Sequence, residues 1–312
     1  MRWAAVGGAC VLLLPVLVLA GAVGGGGAAP AGGGGWGGRP EALADVPAPF
    51  LGLYRDAAAR FGIPVEVLAA VGKVECDHGR NPACSTPNAA GAVGPMQFLP
   101  STFSSYASAS GSPSPSILDP RDSVFAAADL LAANGVASDP WAALYAYNHA
   151  DWYVATVVAW AVAYGWAPAD PAVLSRAVLA HPNVDLRAEA ADDVGAGRVD
   201  DRLLAEVLVV ATTHRLGSVG PFVTGHTTNV AGTDRVSLHS LGRAVDLPVI
   251  DGVAVTAANA SARAVAEELL ALPPSLRPQE LGSPWPDLAG PGAFSDEDHQ
   301  NHLHVSAPAD AP

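Results

Sequence analysis

The chain has 312 residues, of which 50% are hydrophobic, and its formal net charge is −14 at pH 7. This length is sufficient for two folded domains, because domains cluster at roughly 100 to 150 residues. One lysine stands beside fifteen arginines, and no basic patch gathers them, so we expect no binding to nucleic acid. The acidic balance does not identify a partner, and we expect the chain to be a monomer.

The first residues predict that the chain is exported. Residues 1–23 carry one early arginine and then an apolar run of roughly 20 residues, which is long enough to span a bilayer. The run ends in Ala20-Gly21-Ala22, which is typical of a signal-peptide cleavage site. A signal peptide and a membrane anchor both remain open. In either case we expect contact with a membrane only through this segment.

The cysteines agree with export. Cys10 lies in the apolar segment, which leaves Cys76 and Cys84 in the exported part with seven residues between them. Two cysteines in an oxidising compartment favour a disulfide. Metal binding is the alternative, but two thiols alone do not fill a zinc site.

A flexible linker and an all-α domain follow. Residues 24–48 are rich in glycine and proline and cannot bury enough side chain to fold, so they predict a linker. Apolar residues then recur at helical spacing, and no alternating strand pattern occurs within residues 49–166. The helices expected in this domain span about residues 50–61, 64–77, 121–135 and 140–165, with a short helix entered at Ser101.

The rest of the chain has the pattern of a small α+β domain. Residues 167–200 contain three prolines and are interpreted as a linker with entry helices to a domain at residues 201–308. A strongly apolar helix begins after Asp200. Beyond it, strands are expected at residues 219–225, 244–250 and 302–306, with a helix at residues 257–272. The predicted fold class is therefore multidomain, with an all-α domain before an α+β domain.

Glu75 is the candidate catalytic residue of the first domain. On a helix it shares one face with Leu68 and Val71, at intervals of seven and four residues. A carboxyl group on an apolar face loses hydration of its charged form, so we expect the pKa of Glu75 to rise. Glycosidic cleavage requires a protonated acid at the leaving oxygen. The alternative is a solvated glutamate at a helix end.

Three motifs extend this interpretation. The segments AAVGKVECDHGR, GAVGPMQFLPSTF and ALYAYNHADWYV resemble, in order, the three motifs of the lytic transglycosylase family. The resemblance covers roughly residues 50–166 and implies a fold like that of goose-type lysozyme. It implies that Glu75 alone, as acid and base, cleaves the bond between N-acetylmuramic acid and N-acetylglucosamine in peptidoglycan, closing a 1,6-anhydro ring. The pairs that it implies for sugar binding are Met96 with Gln97 and Tyr147 with Asn148.

Two features near Glu75 depart from the family's pattern. The family usually has serine directly after the glutamate, whereas this chain has Cys76, which lacks a hydroxyl that could orient the acid. Asp77 also lies close by. A second carboxylate would allow a hydrolytic, lysozyme-like outcome.

Histidines near the C-terminus form a second candidate site. His302 and His304 lie two positions apart on the last expected strand. Because successive side chains of a strand alternate, these two point to the same side. His239 and Asp246 lie seven residues apart in the segment SLHSLGRAVDLPV. Two histidines, one carboxylate and an open position for water are typical of a catalytic zinc site. The alternative is a set of solvated loop histidines.

The same residues carry a second family resemblance. Residues 237–246 resemble the S-x-H-x-x-G-x-A-x-D motif of the zinc D-Ala-D-Ala carboxypeptidase family, and His302-Leu303-His304 is similar to its terminal H-x-H. His299 completes the H-x-x-H-x-H spacing of the related murein endopeptidases. This resemblance covers roughly residues 200–306 and implies a zinc cofactor. The ligands that it implies are His239, Asp246 and His304.

Further roles follow from this resemblance. His302 would assist catalysis, and Arg235 would hold a carboxylate of the substrate. Some members have an aspartate directly before the H-x-H pair, where this chain has Asn301. The general base is therefore open, with Glu297 and Asp298 as nearby substitutes.

Together the two resemblances imply an exported enzyme of the bacterial cell wall or of the outer face of the cytoplasmic membrane. A lysozyme-like domain would cut the glycan strands of peptidoglycan without a cofactor, and a zinc-peptidase-like domain would cut its peptide stems. One alternative is a lysozyme-like muramidase with an inactive, wall-binding C-terminal module. Another is a non-catalytic wall-remodelling protein, in which Glu75→Gln would leave glycan cleavage unchanged.

Overall fold

The computed structural model describes residues 43–230 and 232–308. It contains two units: the first comprises Pro47–His149, and the second comprises residues 150–308 with residues 43–46. The expected leader at residues 1–23 and the linker residues 24–42 lie outside the described residues. None of the helices in the described ranges is long and apolar enough to cross a bilayer.

The first unit is helical, as the sequence predicts. Its α-helices are α1 (Ala48–Phe61), α2 (Val65–Cys76), α3 (Pro100–Tyr106), α4 (Pro120–Ala133) and α5 (Pro140–Tyr147). A proline in the first turn of α1, α3, α4 and α5 needs no N–H partner there and has the φ of a helix. The side chains of Asp119 and Asp139 accept backbone N–H groups at the starts of α4 and α5. Helix α1 packs against α2 and α4.

The second unit combines helices with short strands. Its helices are α6 (Asp151–Ala163), α7 (Ala172–Ala180), α8 (Ala188–Gly195), α9 (Asp201–Ala211) and α10 (Ala260–Ala271). Its strands are β1 (Val184–Leu186), β2 (Leu216–Val219), β3 (Ala244–Leu247), β4 (Val249–Ile250), β5 (Val253–Ala254), β6 (Leu281–Gly282), β7 (Ala293–Phe294) and β8 (Leu303–Ser306). They form two sheets of order β1-β2-β4-β5 and β3-β8-β6-β7. Helix α9 is buried and packs against α6 and α7.

Two local predictions are wrong. The helix expected at residues 140–165 is interrupted, because Asn148 has extended backbone angles between α5 and α6. The strand expected at residues 219–225 ends at Val219. Residues 223 and 224 instead turn towards the buried carboxylate of Asp193, which accepts both of their N–H groups at 2.8 Å.

The domain boundaries stay a prediction. The sequence ends the first domain at residue 166 and treats residues 167–200 as a linker. In the structure the division falls between His149 and Ala150, so the second unit includes α6, α7 and α8. The physical reason is that α6 packs against α7 and α9.

Candidate functional site

Glu75 lies half-buried in the last turn of α2. The helix ends one residue later at Cys76, and the next residue, Asp77, adopts a left-handed conformation with φ 48°. The N–H of His78 then donates to the Gly72 carbonyl at 2.9 Å and closes the helix end. Leu68 and Val71, on the same face as Glu75, are completely buried. The apolar setting that the sequence predicts for this face is therefore present.

Asp77 is held by two cations. Its carboxylate accepts hydrogen bonds from Arg80 Nη2 at 2.7 Å and from Lys73 Nζ at 2.8 Å. The Arg80 hydrogen bond, followed by the contacts with Lys73, keeps the pKa of Asp77 well below its usual range. A carboxylate neutralised in this way is a poor base for activating water. Its surroundings thus differ from those of Glu75.

A disulfide joins Cys76 and Cys84, as expected. It ties the end of α2 to the turn that follows. The Cys84 carbonyl accepts the N–H of Gly94 at 2.7 Å, which connects that turn to the loop of the second motif. Cys76, which stands where the lytic transglycosylase family usually has serine, therefore connects the first motif to the second through Cys84.

The loop of the second motif requires glycine at position 94. Gly94 has a φ of 87°, and a Cβ there would lie 2.2 Å from the Ile117 carbonyl oxygen, so only glycine fits. Gln97 folds back on the same residue, with its backbone N–H and its Nε2 donating to the Gly94 carbonyl at 3.0 and 2.9 Å. Met96 is completely buried. Gln97 is half-buried, whereas the Met96 side chain supports the loop from inside.

Tyr147 brings the third motif to the other two. Its hydroxyl donates to the Met96 carbonyl at 2.8 Å, across 51 residues of sequence. Burial raises the pKa of Tyr147 well above its ordinary value, and the nearby charge of Glu75 raises it further. Tyr147 therefore lies close to both Glu75 and Met96. Asn148, half-buried at the end of α5, follows it directly.

The sequence did not predict a buried pair at the end of α2, formed by Tyr54 of α1 and His78. The Tyr54 hydroxyl and His78 Nδ1 lie 3.1 Å apart, and both side chains are fully enclosed. A Cβ at Gly72 would lie 1.9 Å from the Tyr54 hydroxyl, so this glycine makes room for the tyrosine inside α2. The only signal in the sequence was a histidine two positions after the helix end, because its burial depends on how α1 packs against α2.

The second candidate site is built across one sheet. Asp246 on β3 pairs in register with His304 on β8, and Gly282 on β6 pairs with the other side of His304. Residues opposite each other on neighbouring strands point to the same face. The glycine leaves space at the end of this row, since a Cβ there would lie 2.6 Å from the His299 ring. Sheet register thus gathers residues from three distant segments.

The surrounding motif residues position His239. Its N–H donates to the Ser237 hydroxyl at 3.3 Å, and its ring is buried. Gly242 has a φ of 69°, and a Cβ there would lie 1.9 Å from the Arg198 carbonyl oxygen, so only glycine fits at this turn. Ala244 is completely buried at the start of β3. Each position of the motif therefore has a physical reason.

The three expected ligands converge. His239 Nε2 lies 3.1 Å from His304 Nδ1 and 3.3 Å from Asp246 Oδ1, and His304 Nδ1 lies 3.4 Å from the same oxygen. Ligands about 2.0 to 2.1 Å from a tetrahedral zinc ion lie about 3.3 to 3.4 Å from one another. The donor atoms are therefore spaced as a zinc ion requires. Among the described residues, this is the group of three that could hold a metal ion.

The proton positions also suit a metal. His239 Nδ1 donates to the Phe222 carbonyl at 3.0 Å, which leaves the lone pair on Nε2, facing the other two ligands. Phe222 is held in turn by Asp193, whose buried carboxylate binds the next two residues. Burial would raise the pKa of Asp246, but its contacts with His239 and His304 outweigh it and keep that pKa well below its usual range.

Other histidines surround this group. His302 Nε2 lies 3.5 Å from Asp246 Oδ1, and its Nδ1 lies 2.7 Å from Asn301 Oδ1. His299 Nδ1 donates to Asp296 at 2.6 Å. The ring of His226, which sequence reasoning did not single out, stacks on His239 with centroids 4.0 Å apart. Within the described ranges, no hydrogen bond or ion pair joins the side chain of Glu297 or Asp298 to these rings.

Arg235, the expected substrate-binding residue, is largely exposed. Its Nη1 forms an ion pair with Glu280 Oε1 at 2.6 Å. The other oxygen of Glu280 lies 3.9 Å from His304 Nε2. Arg235 is thus connected to the histidine group through a carboxylate that the sequence did not point to.

Comparison with known proteins identifies part of the chain. Residues 52–159 match the family described as the Transglycosylase SLT domain. The match spans all three motifs around Glu75, and it supports lytic transglycosylase activity with peptidoglycan as the substrate. No curated protein and no solved structure gives a significant match. The zinc-peptidase resemblance of residues 200–306 stays a prediction.

Proposed function

We propose that the first unit cleaves the bond between N-acetylmuramic acid and N-acetylglucosamine with Glu75 as its single acid and base. Glu75 first gives its proton to the glycosidic oxygen as the bond breaks. The resulting carboxylate then takes the proton of the muramoyl 6-hydroxyl, whose oxygen bonds to C1 and closes the 1,6-anhydro ring. No water is consumed, and Glu75 regains its proton.

The observation that carries this proposal is the convergence of the three motifs at Glu75. Tyr147 contacts the second motif through the Met96 carbonyl and is close enough to Glu75 for the charge of one to affect the other. The ion pairs of Asp77 favour the lyase outcome, because hydrolysis in lysozyme-like enzymes uses a second available carboxylate. Gln97, Tyr147 and Asn148 would contact the sugars, whereas Met96, which the resemblance also implies, is completely buried and would support the loop from inside.

Digestion of purified peptidoglycan tests this activity. We expect the full chain to release muropeptides with anhydro-muramoyl ends, identified by mass spectrometry. Glu75→Gln should lower the rate by roughly 100- to 10,000-fold, the usual contribution of a general acid or base. Asp56→Asn, on the exposed side of α1, is the matched control and should keep the parent rate. Reducing ends would identify a hydrolase, and an unchanged rate in Glu75→Gln would exclude the role of Glu75.

For the second unit we propose a zinc centre held by His239, Asp246 and His304, acting on the peptide stems. The support is the spacing of the three donor atoms and the Phe222 carbonyl that orients His239. Zinc in such a site supplies Lewis-acid chemistry towards a peptide carbonyl. His302, next to Asp246, would hold or move a proton at Nε2. Arg235 would bind a substrate carboxylate when it leaves Glu280.

A wall-binding module without peptidase activity is the competing function for this unit. Metal analysis and product analysis separate the two. We expect about one zinc ion per chain, no zinc in His239→Ala, and newly freed peptide ends in peptidoglycan digests. Zinc without freed peptide ends would favour a binding module, and the absence of stoichiometric zinc would contradict the metal centre. Export, through residues 1–23, is proposed on the additional support of the disulfide.

A further inference from the structure

Glu280 lies beside the zinc ligand His304 in a backbone position that is closely held. It directly precedes β6, and its N–H donates to the Ser306 hydroxyl at 2.7 Å. The Ser306 N–H donates back to the Glu280 carbonyl at 3.1 Å. The register of β6 and β8 continues through this pair, so Glu280 points to the same face of the sheet as Gly282 and His304.

The two oxygens of the Glu280 carboxylate face different partners. Oε1 binds Arg235 Nη1 at 2.6 Å, and Oε2 lies 3.9 Å from His304 Nε2. The second distance exceeds a direct hydrogen bond, but a small rotation of the side chain or a bridging water closes it. The Glu280 side chain is only 22% exposed, which keeps the attraction between the two groups from being fully screened.

The proton on His304 decides whether this residue can be a ligand. Its Nδ1 faces Asp246 and His239, and a nitrogen that binds a metal carries no proton. In the neutral ring the proton must then be on Nε2, the nitrogen that faces Glu280. A carboxylate at that place favours this tautomer and fixes the direction of the ring.

We propose that Glu280 is a positioning residue that orients His304 for metal binding and that Arg235 holds Glu280 in place. The inference rests on the proposed zinc centre. It also limits Arg235, because its guanidinium is already engaged, and a substrate carboxylate must share it with Glu280 or displace it. Glu280 is not a ligand, since it faces the nitrogen of His304 that points away from the other two donors.

Zinc affinity of the full chain, measured by competition with a chromophoric chelator, tests the proposal. We expect Glu280→Gln to weaken zinc binding roughly 10- to 100-fold, as is usual when a partner of a ligand histidine is lost. Glu267→Gln is the matched control, since Glu267 is exposed on α10 and pairs with Arg263. Circular dichroism of the metal-free proteins checks that all variants are folded.

Arg235→Gln provides an independent variant, because Arg235 is 60% exposed and its loss leaves the sheet intact. We expect it to weaken zinc binding less than Glu280→Gln but beyond the control. Affinities within about twofold of the parent in both variants would overturn the role of Glu280 while leaving the metal centre standing. A parent chain that binds no stoichiometric zinc would overturn the metal centre and this inference together.

Discussion

At the scale of single residues, the two candidate sites differ in how they treat a carboxylate. Glu75 lies on an apolar helix face near the phenol of Tyr147. Asp77, two residues later, is neutralised by Lys73 and Arg80. The pKa of Asp246 is lowered by the surrounding histidines, so this carboxyl group is ionised. Burial in turn lowers the pKa values of His302 and His304. Neighbouring groups, more than residue type, therefore determine which carboxyl group can donate a proton.

We expect the buried carboxyl group of Glu206 to make the free energy of unfolding depend on pH. It is buried in α9, and neither carboxyl oxygen has a hydrogen-bond partner among the described residues. Burial raises the pKa of Glu206 well above its ordinary value of 4.5. Above pH 4.5 the folded state therefore binds more protons than the unfolded state. The stability is greatest below pH 4.5 and falls as the pH rises towards the raised pKa.

We expect Glu206→Gln to remove this loss, which amounts to at most about 1.4 kcal/mol per pH unit. Urea unfolding at several pH values between about 4 and 8 measures it. Glu189→Gln, on the exposed side of α8, is the control and should keep the slope of the parent. A Glu206→Gln variant with the parent's pH profile would show that another group causes the dependence.

At the scale of elements, packing against Tyr54 leaves room only for glycine at position 72 of α2. Alanine normally stabilises a helix interior by about 0.5 to 1 kcal/mol relative to glycine. At Gly72 the new Cβ would lie 1.9 Å from the Tyr54 hydroxyl, and relieving such overpacking costs about 1 to 3 kcal/mol. We therefore expect Gly72→Ala to destabilise the first unit and to lower glycan cleavage.

Gly52→Ala is the matched control for this prediction. Gly52 lies in the interior of α1, and a Cβ there has no atom within 4 Å. Denaturant unfolding should show a gain in stability for Gly52→Ala and a loss for Gly72→Ala. A gain for both would mean that Tyr54 moves aside without cost.

The disulfide gives a second prediction at this scale. It closes a short loop between α2 and the turn that supports Gly94, so it restricts the unfolded chain. We expect Cys84→Ala to lower the free energy of unfolding by about 2 to 3 kcal/mol. A reductant should lower the stability of the parent to that of the variant and leave the variant unchanged. Equal stability of parent and variant under oxidising conditions would contradict this role.

At the scale of the whole molecule, the chain joins a unit that matches the transglycosylase family to a unit with the proposed zinc centre. Each candidate site lies entirely within one of the two units. Joining them in one chain raises the local concentration of the second site once the first has bound peptidoglycan. A single export step would thus deliver both activities to the same substrate.

The separation of the sites predicts that their losses are independent. We expect Glu75→Gln to abolish anhydro products while retaining one zinc ion per chain. His239→Ala should show the reverse, with no zinc and normal glycan cleavage. Product analysis and metal analysis of the two variants measure this. Loss of glycan cleavage in a folded His239→Ala variant would show that the zinc centre supports the first unit.

What could be predicted from the sequence was mostly local. The helices follow from the periodicity of apolar residues, and the residues of each motif follow from the resemblance to two families. One of the two errors arose where a distant group prevailed. The strand expected at residues 219–225 is replaced by a turn because the N–H groups of residues 223 and 224 are bound by Asp193, which is 30 residues away from the first of them.

By itself, the sequence determined which residues are proposed to carry the chemistry: Glu75 with its two following motifs, and a histidine cluster with Asp246. Tertiary structure alone decided which of them meet. His239 and His304 are 65 residues apart, and sheet register brings His304 beside Asp246 while Gly282 leaves room for His299. Tertiary structure also decided that Asp77 forms an ion pair with Lys73 and that Glu280 faces His304. Periodicity encodes the face of an element, whereas contacts between distant side chains depend on how the elements pack.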